Sequence, residues 1–122
     1  MTDVNHLIDG YLAIWNETDA ERRRALIARH WTEDAAYIDP VMAGHGHAGI
    51  DRMIAGAQAQ FPGHVFRQVG QGEGHNARLR FSWELIGPDG REAGIAGTDF
   101  GVIAEDGRLA AITGFLDQMP NA

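Results

Sequence analysis

From Val4 to Trp15 the apolar residues Val4, Leu7, Ile8, Tyr11, Leu12 and Trp15 fall three, four and one positions apart, which paints one face of a helix. Thr18-Asp19-Ala20-Glu21 then has the form of a capping box, with the Thr18 hydroxyl free for the Glu21 amide and the Glu21 carboxylate reaching back. A second helix follows, buried through Leu26, Ile27, His30 and Trp31. From Ala35 to Asp39 the pattern alternates, Ala35, Tyr37 and Asp39 on one side and Ala36 and Ile38 on the other, until Pro40 removes a ladder donor. That predicts a short first strand. Past a glycine-rich loop, Ile50, Met53, Ile54, Ala57 and Phe61 return to helical spacing, and Pro62-Gly63 ends this third helix.

The rest reads as strands: Val65 to Val69, Arg78 to Ile86, Glu92 to Ala104 and Arg108 to Leu116. Gly87-Pro88-Asp89-Gly90 and Glu105-Asp106-Gly107 carry the residues that tight turns need, so these strands pair as antiparallel hairpins. Helices first and a meander afterwards is the α+β order, not the alternation of a doubly wound sheet. Gly94, Gly97 and Gly101 mark places where the long strand can bulge or bend. A sheet bent there can wrap the apolar helix faces and leave a cone open at one end, a shape that holds small ligands. With no internal repeat and no linker, residues 1–122 read as one domain, and 118–122 as a short frayed tail.

Composition narrows the functional classes. The chain has 122 residues, a formal net charge of −7 and no cysteine, which removes thiol catalysis, zinc-thiolate sites and iron–sulfur clusters. The acidic balance argues against a nucleic-acid groove, and the one basic run, Arg22-Arg23-Arg24, reads as a solvated helix face. No stretch approaches the ~20 apolar residues of a membrane span, and the first residues lack a basic segment followed by an apolar one, so a cytoplasmic protein is expected.

Several motifs tempt and fail. Gly44-His45-Gly46-His47-Ala48-Gly49 matches G-x-G-x-x-G, but no parallel partner strand follows the helix and no acidic residue sits where a ribose would need it. His45 and His47 read as a solvated loop pair, so no metal is expected there. Gly70-Gln71-Gly72-Glu73-Gly74 reads as a flexible turn without the Lys-Ser/Thr of a phosphate loop. Ser82 is the sole serine and lies within a strand, against a serine hydrolase.

Carboxylates and tyrosines at partly buried positions remain, and these can move protons without a cofactor. Asp39 ends the first strand on the Tyr37 face, before the apolar pair Val41-Met42; it reads either as an inward-facing carboxylate or as the start of an Asp-Pro turn. Asp99 interrupts the otherwise apolar Gly97-Thr98-Asp99-Phe100-Gly101-Val102-Ile103. It reads either as one half of an ion pair with Arg78 or Arg80, or as a carboxyl kept protonated by desolvation. Tyr11 is central on the first helical face, where it reads as a core filler whose hydroxyl finds one partner. Trp15, Trp31, Phe61, Trp83 and Phe115 are packing residues first, some of them also walls of a cavity; Trp15, Tyr37, Met42, Ile54, Phe61 and Phe115 are the expected pocket set.

The helices, the strand ending in Asp-Pro-Val, the third helix and the curved meander together resemble the nuclear transport factor 2-like superfamily, with its ketosteroid isomerases and SnoaL-like polyketide cyclases. The resemblance covers nearly the whole chain and implies a cystatin-like α+β roll, three helices packed in the cone of a strongly curved, mostly antiparallel sheet. Tyr37-Ile38-Asp39-Pro40-Val41 is similar to the isomerase segment bearing the general base. Position by position the resemblance puts Asp39 on the base, Tyr11 on the oxyanion-hole tyrosine and Asp99 on its protonated aspartate. The histidine-rich loop after Met42 departs from the isomerases, while Gly97-Thr98-Asp99-Phe100 and Thr113-Gly114-Phe115-Leu116-Asp117 look closer to SnoaL-like proteins, which use a strand aspartate for acid/base work.

The expected function is therefore a cofactor-independent isomerase or cyclase acting on a small apolar carbonyl compound of polyketide, steroid or terpenoid size. The alternatives are a hydrolase or dehydratase, which would need Arg78 or Arg80 clustered with Asp99 around a water, and a non-catalytic ligand-binding module. Because Phe81, Trp83 and Leu85 alternate with Arg80, Ser82 and Glu84, one sheet face lies outside the cone, and a homodimer through the sheet is expected.

Overall fold

The computed structural model describes residues 3–120. Helix α1 (Val4–Asn16) starts at Asp3, whose side chain accepts from the Asn5 amide, and buries Leu7, Ile8, Tyr11, Leu12, Ile14 and Trp15. Helix α2 (Ala20–His30) is capped by Asp19, which accepts from the Arg22 amide, and not by Thr18; the Glu17 carboxylate in turn accepts from the Asp19 amide. Trp31 is fully buried as the first residue of β1 (Trp31–Ile38) and is not part of α2. The loop expected after it contains a short strand, β2 (Ala43–His45), and the start of α3 (Gly46–Gln60). Four strands complete the chain: β3 (Val65–His75), β4 (Arg78–Ile86), β5 (Glu92–Ile103) and β6 (Leu109–Gln118).

The six strands form one curved sheet in the order β2-β1-β6-β5-β4-β3, antiparallel except where β1 runs parallel to β6. This is the α+β roll expected from the sequence. Register shifts fall within β1, β3, β4 and β5, where a bulge adds twist and bends the strand. The apolar positions of β4, Leu79, Phe81, Trp83 and Leu85, all face the helices on the concave side, whereas Arg78, Arg80, Ser82 and Glu84 take the other face.

Two sequence expectations are corrected by packing. Gly70–Gly74 is not a flexible turn but the second half of β3: a Cβ on Gly72 or Gly74 would strike Ile8 or Val4, so these glycines let α1 lie directly on the strand. Arg23 is not on a solvated face. It is 4% exposed, with Nε 2.7 Å from Asp51 Oδ1 and Nη1 donating to Gln58 Oε1 and to the Glu17 carbonyl, so one guanidinium ties α2 to α3 and to the end of α1. Gln118, expected in a frayed tail, instead pairs with Ala96 at the end of β6; residues 121 and 122 of that expected tail lie outside the described residues. No described helix is long and apolar enough to cross a membrane.

Candidate active site

The open end of the roll leads into a cavity lined from every layer: Tyr11, Leu12 and Trp15 from α1, Ala57 and Phe61 from α3 and its end, Tyr37 and Asp39 from β1 and its end, and Phe66, Trp83, Leu85, Ile95, Asp99 and Leu116 from β3 to β6. The three residues singled out in the sequence therefore share one space. Its polar lining is limited to Tyr11, Tyr37, Asp39 and Asp99 with the indoles of Trp15 and Trp83; no Lys, Arg or His lines it among the described residues. The space is narrow, about 70 Å³, against the roughly 150 Å³ of an engineered core cavity that accepts benzene. Val41, Met42 and Met119 complete the wall, and unbranched methionines yield readily to an entering ring.

Strand pairing puts Asp99 between Phe81 on β4 and Gly114 on β6. It is 2% exposed. Oδ2 accepts from the Tyr11 hydroxyl at 2.8 Å and Oδ1 from the Trp83 indole at 3.2 Å. Burial raises its pKa to about 6, opposed by these two hydrogen bonds and assisted by the nearby Asp39 carboxylate. Burial likewise raises the Tyr11 and Tyr37 phenols, and the charge of Asp99 adds to both, so each stays protonated. Arg80 is on the convex side, paired with Glu73, and Arg78 donates to the Asn76 carbonyl. Neither arginine partners Asp99, and the Asp–Arg water cluster that a hydrolase would need is not formed.

Asp39 is both a turn former and a cavity residue. Its Oδ1 accepts from the Val41 and Met42 amides at 2.8 and 2.9 Å, and its Oδ2 accepts from the Tyr37 hydroxyl at 2.6 Å. Gly114 explains how the two carboxyls approach each other. A Cβ there would stand 2.9 Å from Asp99 Oδ1, 3.1 Å from Asp39 Cβ and 3.1 Å from Tyr37 Oη, so only glycine leaves room for the group.

Of the expected pocket residues, Trp15, Tyr37, Met42 and Phe61 line the cavity and two do not. Ile54 is fully buried, one turn before the cavity-facing Ala57, and does not line the wall. Phe115 follows the inward Gly114 on β6 and so points to the convex face, 59% exposed. Sequence reasoning missed Gly114 and the Trp83 indole. The signal for Trp83 was its place two residues from Phe81 on the strand that pairs with Asp99.

Residues 8–112 match the family model of the SnoaL-like domain. A solved structure from Agrobacterium tumefaciens, described as a candidate isomerase of the SnoaL-like family, shares 44% identity over 96% of this chain and 99% of its own, with a TM-score of 0.92. Two further structures, candidate polyketide cyclases from a Jannaschia species and from Sinorhizobium meliloti, share 14% identity each. The first covers 96% of this chain and 90% of its own at a TM-score of 0.72; the second covers 89% and 93% at 0.69. At that identity they speak for the fold alone. No curated protein matches the sequence. With a domain match over most of its length and a relative nearly half identical, the chain belongs to the SnoaL-like family, on the nuclear transport factor 2-like fold.

Proposed function

We propose that this protein is an acid/base enzyme, an isomerase or cyclase, that takes a proton from the carbon beside the carbonyl of a small, uncharged, apolar ring compound. The observation that carries this reading is the Tyr11–Asp99 pair facing the same cavity as Asp39, among walls that are otherwise apolar. Abstracting such a proton needs a base near the carbon and donors at the oxygen that gains charge.

Asp39 is the base. Both backbone amides bind its Oδ1, so Oδ2 receives the proton, using the lone pair that the Tyr37 hydroxyl leaves free. Tyr11 and Asp99 are the donor pair, and proton counting shows when they work. With Asp99 ionised, the pair holds one proton, which the 2.8 Å contact consumes. With Asp99 neutral it holds two, and the spare O–H serves the carbonyl oxygen as it becomes an enolate. The C–H electron pair moves into that enolate, and the proton on Asp39 returns to another carbon in an isomerase. In a cyclase the enolate carbon instead attacks a second carbonyl, whose π electrons move to its oxygen, and that oxygen takes the proton held on Asp39. The side chains suffice for either course. The test is α-proton exchange of small cyclic ketones in D2O: wild type exchanges, Asp39→Asn does not, and exchange unchanged by that substitution refutes the assignment.

We further propose a homodimer through the convex sheet face. The β4 positions that suggested it turn out to be polar on that side, but Ile38, Phe100 and Phe115 are 56%, 44% and 59% exposed there. Register brings them together around Thr113, which pairs with both Ile38 and Phe100. Such a strip of exposed apolar side chains is a candidate contact surface. Sedimentation at micromolar concentration gives a dimer on this reading, and a monomer contradicts it.

A further inference from the structure

The cavity wall contains one hydrogen-bond donor more than the structure uses. The Trp83 indole N–H binds Asp99, and the Tyr11 and Tyr37 hydroxyls bind Asp99 and Asp39. The Trp15 indole N–H, on a side chain 5% exposed, has no partner among the described residues. A buried donor left without an acceptor is costly, so a native one calls for an explanation. Trp15 sits one turn beyond Tyr11 on the same face of α1, the rings edge to face with centroids 6.4 Å apart. Its N–H lies near enough to the Tyr11 hydroxyl to favour that group's anion, yet makes no hydrogen bond to it. Trp31 has an unpartnered N–H too, but it is sealed in the core and does not line the cavity.

We infer that Trp15 is a positioning residue of the oxyanion site, its indole N–H closing onto Tyr11 Oη when the Tyr11 proton turns from Asp99 to a ligand oxygen. The inference rests on the donor role proposed for Tyr11 and Asp99. In the unliganded pair the Tyr11 hydroxyl already gives its proton to Asp99, and its oxygen has little call for another donor. Once that proton is shared with an enolate or phenolate oxygen, charge builds on Oη, and the idle N–H beside it becomes the third member of the site. Trp15 thus favours ligands that bring an anionic or strongly accepting oxygen to Tyr11, and is indifferent to ligands that merely fill the cavity.

The probes are 4-fluorophenol and fluorobenzene, titrated into the full-length protein by ¹⁹F NMR, which reads affinity and, for the phenol, its ionisation when bound. They are compared across wild type, Trp15→Phe and a protein carrying benzothienylalanine at position 15, a ring of the same shape with sulfur for N–H. The isostere keeps the test sound where Trp15→Phe fails to fold. The expected result is about tenfold weaker binding of 4-fluorophenol, a free-energy change of about 1.4 kcal/mol, and a bound resonance displaced toward the neutral phenol. Fluorobenzene binding stays within about twofold, well under that change of about 1.4 kcal/mol. Equal weakening of both probes, or no change in the phenol's affinity and resonance, overturns the inference. If Tyr11→Phe still weakens 4-fluorophenol in that case, the donor pair stands and only Trp15 falls. If neither Tyr11→Phe nor Asp99→Leu affects 4-fluorophenol, the donor site itself is wrong, and the Trp15 role with it.

Discussion

Replacing Asp99 by Asn keeps the shape of the buried group and removes its titration, which makes the energetic consequence of the site measurable without a substrate. Below pH 3.8 the carboxyl is protonated in both the folded and the unfolded chain, and its burial involves no charge. Between 3.8 and about 6 the unfolded chain releases the proton while the folded chain holds it, so the wild type loses stability as pH rises. At about 1.4 kcal/mol per pH unit, that interval amounts to about 3 kcal/mol, complete above pH 6. Against the roughly 5–15 kcal/mol that typically holds a domain together, this is a large fraction. The Asp99→Asn variant has no such dependence. Urea unfolding of the two proteins from about pH 3.5 to 8 therefore shows the variant gaining on the wild type by about 3 kcal/mol across the range, with the change centred between 3.8 and 6. Groups common to both proteins cancel in the difference. A difference flat with pH, or one that moves in favour of the wild type as pH rises, means that the fold stabilises the Asp99 anion, and the proton count at the donor pair then fails.

Other expectations follow from the same geometry. On the proposed mechanism the donor pair needs neutral Asp99, so kcat/KM for any accepted ketone falls as pH rises through about 6 in the wild type, and the fall is absent in Asp99→Asn; the pH profiles of the two proteins decide this. Gly114→Ala drives a methyl against Asp99 Oδ1, Asp39 and Tyr37 and abolishes α-proton exchange while the circular dichroism spectrum stays that of the wild type. Arg23→Ala leaves Asp51 with only the longer 3.9 Å contact to Arg24 and removes the donor to Gln58 Oε1, and it costs about 3 kcal/mol by urea unfolding. Arg22→Ala, at a position 78% exposed, changes stability by less than about 0.5 kcal/mol. Phe115→Glu, on the convex face, yields a monomer by sedimentation with the cavity intact.

Much of this was legible in the residues because burial and chemistry conflict there. Asp99 stood out as one carboxyl in an apolar strand, and Tyr11 as a phenol at the centre of an apolar helix face; both prove buried and joined. Asp39 allowed two placements, facing inward or starting a turn, and one side chain takes both: Oδ1 accepts from the turn amides, and Oδ2 accepts from Tyr37 at the cavity wall. The errors come from places where hydrophobicity does not state a direction. On β6, Gly114 and Phe115 are neighbours, and only the pairing with Asp99 says that the glycine faces in. On α3, Ile54 and Ala57 are one turn apart, and the larger side chain packs the core while the smaller leaves room for the cavity. Arg23 looked solvated within three arginines, yet it lies four residues before the buried Ile27 on the same helical face, which was the available signal. Gly72 and Gly74 looked like a turn because the cause of their smallness, Ile8 and Val4 on α1, lies at the far end of the chain.

Asp99 keeps its proton beside Tyr11 up to about pH 6, and carboxyl-detected ¹³C NMR titration of the unliganded protein reads this at the atom concerned. The expected Asp99 midpoint is about 6, with Tyr11 remaining protonated throughout. An Asp99 midpoint at or below the ordinary value of 3.8 contradicts it, since the pair would then hold one proton at every pH where the protein works and have none to give.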